Sequence, residues 1–214
     1  MNSKFFQKEL NEVNLKSHLI YNLNTYEKKN KELEFFKKFR GLKILNIGRL
    51  TDQKDQLTLI KSLDILKKKN INFRCGIIGR GSFKSKLFSK IKSLNLEKNI
   101  KLVGFKYYAE QYISKSDIFV LSSKFEGLPN VLIESQKYGV PIISSNCPTG
   151  PNEILMSGRL GELFPVGNYS ILANKLFNFS QNKKILKVKS LKAKKYLKRF
   201  DPIINSKKYS KLIL

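Results

Sequence analysis

Acidic residues are scarce in this chain. Its 214 residues carry 16 Asp and Glu against 42 Lys and Arg, a formal charge of +26. Such an excess invites anionic partners, nucleic acid or a membrane surface. Arginine is scarce as well, six of the 42 cations, although dedicated phosphate readers lean on its two-pronged donor geometry. Asn and Ile are abundant beside Lys, as in AT-rich coding. Most lysines therefore read as solvated charge, and no specific nucleic-acid partner is expected. The two cysteines, Cys75 in an apolar run and Cys147 in a Pro/Gly-rich loop, form no disulfide framework and read as free thiols in a reducing compartment. The single histidine, His18, leaves no Cys/His cluster for zinc and sits in no catalytic motif. No apolar run approaches the ~18 residues that a membrane span needs. The opening "MNSKFFQKEL" lacks the apolar segment of a secretory signal, so a cytoplasmic location is expected.

What is present is alternation. Short apolar runs at 43–48, 72–79, 100–104, 117–123, 140–145 and 161–166 predict strands, separated by amphipathic stretches at 54–68, 82–94, 107–115, 129–138 and 168–180. The strands are apolar on both parities, as in a sheet covered on both faces. Strand–helix alternation predicts an α/β, Rossmann-like, doubly wound parallel sheet with helices on both faces, over 42–180. Residues 1–41 read as a linker holding a helical piece, a strand-like stretch "LKSHLIYNL" and a charged helix. Residues 181–214 read as basic C-terminal helices. In the lysine-dense helix at 183–199, Leu186, Ala193, Leu197 and Phe200 share one face, and Pro202 stops it. Its lysines read as a solvated face rather than a membrane anchor.

In a doubly wound sheet, ligands bind beyond the carboxyl ends of the strands, where the strand order reverses. That rule selects two loops, "GRLTDQKDQ" (48–56) and "KFEGLPN" (124–130). The first offers Arg49 and Lys54; the second offers Glu126 and a helix start. Pro129 suits the first helical position, and the amides of Asn130 and Val131 then face an anion. Gly127 leaves room for close approach to the backbone. Glu134 lies one turn beyond Asn130 on the same face. Cations and amides suit a diphosphate, and carboxylates accept hydrogen bonds from sugar hydroxyls. A nucleoside diphosphate sugar has a use for all of them.

"GRLTDQKDQLTLIKSLDIL", "GIIGRGS", "IKLVGF", "SDIFVLSSKFEGLPNVLIESQKYGVPIISS" and "CPTGPNEIL", in that order, resemble the C-terminal, donor-binding domain of group 1 (family 4) glycosyltransferases, one half of the two-domain GT-B fold. Glu126 and Glu134 fit the E-x7-E motif of that family. The resemblance implies that Arg49 and Lys54 neutralise the donor diphosphate in place of a metal, with no other cofactor. It implies that Glu134 binds the ribose, that Glu126 with Gly127, Leu128, Pro129, Asn130 and Val131 holds the donor sugar, and that Gly48, Phe105 and Lys106 complete the donor site. It further implies transfer with retention to a saccharide or lipid-linked acceptor in surface-glycan assembly. Such enzymes carry a preceding acceptor domain, so a partner domain or chain is expected, and the basic surface would suit peripheral docking at the inner face of the membrane. A non-catalytic donor-binding subunit or remnant needing a partner domain, a hydrolase using Glu126 and Glu134 as its acid pair, and salt-sensitive nucleic-acid binding through the lysine face are the competing expectations. Glu153 reads equally as a loop-holding group or a ligand, and "GRGS" (79–82) as a strand-to-helix turn.

Overall fold

The computed structural model describes residues 4–13, 17–21 and 30–213. Helix α1 (Lys4–Glu12) precedes β1 (Leu42–Ile47), α2 (Gln56–Lys68), β2 (Phe73–Ile78), α3 (Lys84–Ser93) and β3 (Ile100–Gly104). There follow β4 (Ile118–Leu121), α4 (Asn130–Tyr138), β5 (Ile142–Ser145), the short α5 (Pro151–Ile154), β6 (Glu162–Phe164), α6 (Tyr169–Gln181), α7 (Lys184–Lys195) and α8 (Pro202–Ile213). All six strands form one parallel sheet in the order β3-β2-β1-β4-β5-β6.

The two-sided apolarity of the strands explains the layers. In β1, Ile44 and Leu45 point to opposite faces, and both are fully buried. One core joins Ile44, Leu63, Val120 and Leu176 under α2, α3 and α6. The other joins Leu45, Phe119, Leu132 and Phe200 under α4 and its neighbours. Asp55 caps α2 by accepting from Thr58 N, and Asn168 caps α6 by accepting from Ile171 N. Gly139, left-handed at φ 69°, closes α4.

Four expectations are corrected. The 107–115 stretch is a 3-10 helix over Ala109–Lys115, not an α-helix. Pro129 is the N-cap of α4 (φ −72°, ψ 100°), one residue before the helix proper. The helix expected to run over 183–199 up to Pro202 ends at Lys195, a 3-10 turn covers Leu197–Phe200, and Pro202 opens α8. Asp201 explains that start: its Oδ1 accepts from Ile203 N and Ile204 N at 2.8 and 3.0 Å, and proline fits the first helical position. Lastly, residues 17–21 form no strand, although Ile20 and Tyr21 are buried. The rest of that stretch and part of the expected charged helix, residues 14–16 and 22–29, lie outside the described residues.

Candidate functional site

The chain winds β1, β2, β3 in one direction and β4, β5, β6 in the other, so the order reverses between β1 and β4. The loops leaving these two strands are fastened together. Lys124 N donates to Gln53 O (2.8 Å) and Ser122 Oγ to Lys54 O (3.0 Å). Gln53 Nε2 donates to Phe125 O at 3.1 Å. Lys124 Nζ pairs with both oxygens of Asp52 at 2.7 and 2.8 Å on the surface. At the centre, Lys54 Nζ meets Glu126 Oε1 at 2.5 Å, and Ser123 Oγ donates to the same oxygen at 2.6 Å. Only 16% of the Lys54 side chain and 7% of the Glu126 side chain are exposed, so this pair works in a medium of lower dielectric than a surface bridge.

Arg49 sits at the rim. Its carbonyl accepts from buried Gln56 Nε2 (3.0 Å), and its Nη2 donates to Gln53 Oε1 (3.0 Å). Its backbone is therefore held while the exposed guanidinium stays open to a ligand. The stem of Lys54 crosses Gly48, with 3.5 Å from its Cγ and Cδ to where a Cβ on Gly48 would stand. Nothing lies within 4 Å of the corresponding point on Gly127, the approach expected to be open. No side chain caps the start of α4, and the buried Asn130 Oδ1 has no partner. The N-terminal end of α4 is thus available to an anion above Gly127. Leu128 and Pro129 are buried beneath it, and Val131 is half-buried.

Two neighbouring loops press on this junction. Gly150, after β5, has φ +79°, and a Cβ there would stand 2.2 Å from Gly127 O and 2.5 Å from Pro129 Cδ. On the other side, a Cβ on Gly79 or Gly81 would stand 1.9 Å from Gly48 O or 2.3 Å from Leu50 O. The "GRGS" segment is the turn it was read to be, but its glycines also let the β2 loop lie directly on the β1 loop. Between them Arg80 places its guanidinium carbon 4.7 Å from the Phe105 ring centroid. Phe105 and Lys106 stand exposed after β3, at the far edge of the same strand ends.

The structure therefore joins Arg49, Lys54 and Glu126 through Gln53 and the ion pair. Phe105 and Lys106 stand two strands away with Arg80 between. Glu134 is buried one turn up α4, and its charge acts on Lys137 and Tyr138. Sequence reasoning missed Gln53, Ser123, Arg80 and Gly150. The G-x-G after β2 and the Ser three residues before Glu126 were the available signals. Cys147, beside the pair, has its thiol pushed up to about 11 by burial and then by the Glu126 charge, with Lys54 pulling the other way. Both cysteines are free and buried. Among the described residues no group of three or more His, Cys, Asp or Glu is placed to hold a metal ion.

Glu153 is a holding group. Its Oε1 accepts from Tyr21 OH at 2.5 Å, and its backbone carbonyl and that of Ile154 accept from Arg199 at 3.2 and 2.7 Å. Tyr21 N in turn donates to Asn205 Oδ1 in α8 at 3.3 Å. Burial, then the Glu153 bond, raise the Tyr21 hydroxyl, and burial lowers Arg199.

The family model described as "Glycosyl transferases group 1" matches residues 27–199. The chain belongs to the group 1 glycosyl transferase family. An uncharacterized glycosyltransferase of Methanocaldococcus jannaschii is 36% identical over 163 residues, 72% of this chain and 40% of the relative. The Campylobacter jejuni N-acetylgalactosamine-N,N'-diacetylbacillosaminyl-diphospho-undecaprenol 4-alpha-N-acetylgalactosaminyltransferase is 32% identical over 160 residues, 75% of this chain and 43% of that enzyme. This member of the family thus spans about two-fifths of these curated relatives' length. Among solved structures, Anabaena HepE in complex with UDP-glucose superposes with a TM-score of 0.85 at 20% identity, over 99% of this chain and 62% of HepE. Staphylococcus aureus TarM gives 0.80 at 22% identity, over 96% of this chain and 41% of TarM. At these identities the likeness carries the fold alone, that of the C-terminal half of a GT-B enzyme.

Proposed function

We propose that this chain is the donor half of a retaining glycosyltransferase that moves a sugar from a nucleoside diphosphate sugar to a saccharide or lipid-linked acceptor in surface-glycan assembly. The observation that carries the reading is the junction at the switch point: Lys54 and Glu126, 72 residues apart, meet at 2.5 Å beneath an uncapped helix start. Arg49 and Lys54 take the diphosphate. Glu126, with Gly127 to Val131 behind it, takes hydroxyls of the sugar; Glu134 takes the ribose, backbone near Phe105 and Lys106 lines the base, and Gly48 belongs to the donor site. As the bond to the anomeric carbon breaks, negative charge gathers on the diphosphate between the two cations. Losing one such partner costs on the order of 3 kcal/mol in the transition state. The Campylobacter relative, named for a diphospho-undecaprenol substrate, supports a lipid-linked acceptor and peripheral work at the inner membrane face. The binding unit we assign is 42–180, flanked by a linker and by basic helices.

The described residues build one parallel sheet with the donor-side loops on it, which supports a second reading beside the first: the chain binds donor and transfers only when an acceptor-side domain is supplied. Calorimetric titration with UDP and GDP tests the donor site. Binding of one of them is expected, and no binding at millimolar nucleotide overturns the assignment. Transfer that begins only on adding the acceptor-side half of a relative would select the second reading.

A further inference from the structure

Helix α7 has two apolar faces, and the fold uses one. Leu186 and Ala193 are buried, and α7 packs on α4. Three contacts fix how it lies. Lys183 Nζ binds Asp117 Oδ1 at 2.7 Å, Lys189 Nζ donates to Gly161 O at 3.3 Å, and the Lys194 side chain lies over Gly139 at the end of α4. The other face is turned to solvent, yet Ile185, Val188 and Leu191, each three residues from the next, are 60%, 52% and 62% exposed there. Lys184, Lys187, Lys192 and Lys195 are exposed around them, and the helix "KILKVKSLKAKK" contains no acid. Ordinary solvated lysine faces do not carry a row of aliphatics at this exposure.

We infer that the outer face of α7 is a docking surface for an anionic lipid bilayer. The aliphatic row sinks to the boundary of headgroups and acyl chains while the lysine stems run beside it and their ammonium groups reach lipid phosphates. Charge complementarity selects this occupant. A second copy of a chain at +26 would bring like charge to like charge. Another basic helix, α3, presents one large exposed apolar side chain, Phe88, so it offers attraction without an insertion row; α8 is basic too, but its exposed Ile203 and Ile204 are adjacent in sequence and so do not stack along one face. The inference deepens, and rests on, the reading of the acceptor as lipid-linked. It departs from the solvated-face expectation for this helix.

The test is cosedimentation of the full chain with vesicles of mixed phosphatidylglycerol and phosphatidylcholine, and with phosphatidylcholine alone, at physiological salt. Wild type is expected on the anionic vesicles only. Lys184→Gln, Lys187→Gln, Lys192→Gln and Lys195→Gln together should cut partitioning by about fivefold per lysine. Ile185→Ser, Val188→Ser and Leu191→Ser together should cut it about tenfold or more at unchanged charge. The same number of lysines removed around α3 (Lys84→Gln, Lys86→Gln, Lys92→Gln, Lys98→Gln) is the control, and should cost far less. Equal losses from α3 and α7, or no loss from the serine variant, overturn the inference. So does sedimentation-velocity evidence that the serine variant dissolves a dimer. Nucleotide titration of the same samples separates the two readings. A wild type that binds nucleotide but not vesicles sinks the docking surface and leaves the donor site standing.

Discussion

Removing the Lys54 ammonium should weaken nucleotide binding, whereas removing the Glu126 charge should not. With Lys54→Ala, the Glu126 carboxylate keeps Ser123 as a donor but loses its cation in a site where 7% of its side chain is exposed. Breaking a fully buried pair costs about 3–5 kcal/mol. Here the lysine side is 16% exposed and water can enter, so we expect about 2 kcal/mol. For a chain of this length that is a melting-temperature drop of about 4–8 °C. The same variant loses a charged hydrogen bond to the diphosphate, worth about 1.5–3 kcal/mol, and so about 10- to 100-fold in nucleotide affinity. Glu126→Gln acts differently at the phosphate. It leaves Lys54 without a competing anion, so the bare nucleoside diphosphate should bind as well as to wild type or up to about tenfold tighter, while the nucleotide sugar loses a hydroxyl acceptor and binds more weakly. Titration calorimetry with nucleotide and nucleotide sugar, beside thermal unfolding by circular dichroism, reads both quantities. If both variants weaken the bare nucleotide equally, the pair is only a staple between loops and the phosphate role of Lys54 is wrong.

Arg49→Ala should lower nucleotide affinity by about 10- to 100-fold with the melting temperature unchanged within a degree or so, because the guanidinium is exposed and its backbone is held by Gln56; a stability loss of the same size as the affinity loss would count against it. Gly150→Ala forces a Cβ to within 2.2 Å of Gly127 O at φ +79°, which should destabilise by about 1–3 kcal/mol and weaken nucleotide binding; denaturant titration and calorimetry check the two. The Cys147 thiol, pushed up to about 11 from 9.0, should alkylate with iodoacetamide far more slowly at pH 8 than after denaturation. Because the fold favours the protonated thiol, its contribution to stability is complete below pH 9 and is lost as pH climbs to about 11; fast alkylation of folded protein at pH 8 would refute the burial argument.

The strands were legible because each is a short apolar run between longer amphipathic stretches, and their parallel direction follows from that alternation. The 109–115 segment was not. Over seven residues a period of 3.0 cannot be told from 3.6, so its 3-10 geometry was hidden. The same brevity hid α5, four residues long. At the candidate site, the topological rule found the two loops and the residue types on them. It could not find the Lys54–Glu126 contact, the Gln53 tether or Gly150 against Gly127, because these depend on where loops 72 or about 23 residues apart come to rest. The outer row of α7 was passed over for a related reason. Leu186 and Ala193 already satisfy one amphipathic pattern, and a second apolar row between lysines does not register as a period.

Glu153 holds the phenol of Tyr21, and its carbonyl holds Arg199. The segment that leads into the sheet and the segment that leads away from it are thus bolted to one residue, three positions from the glycine that leans on Gly127. The two flanks therefore share one anchor, and the loop that carries it is the loop whose glycine packs on Gly127.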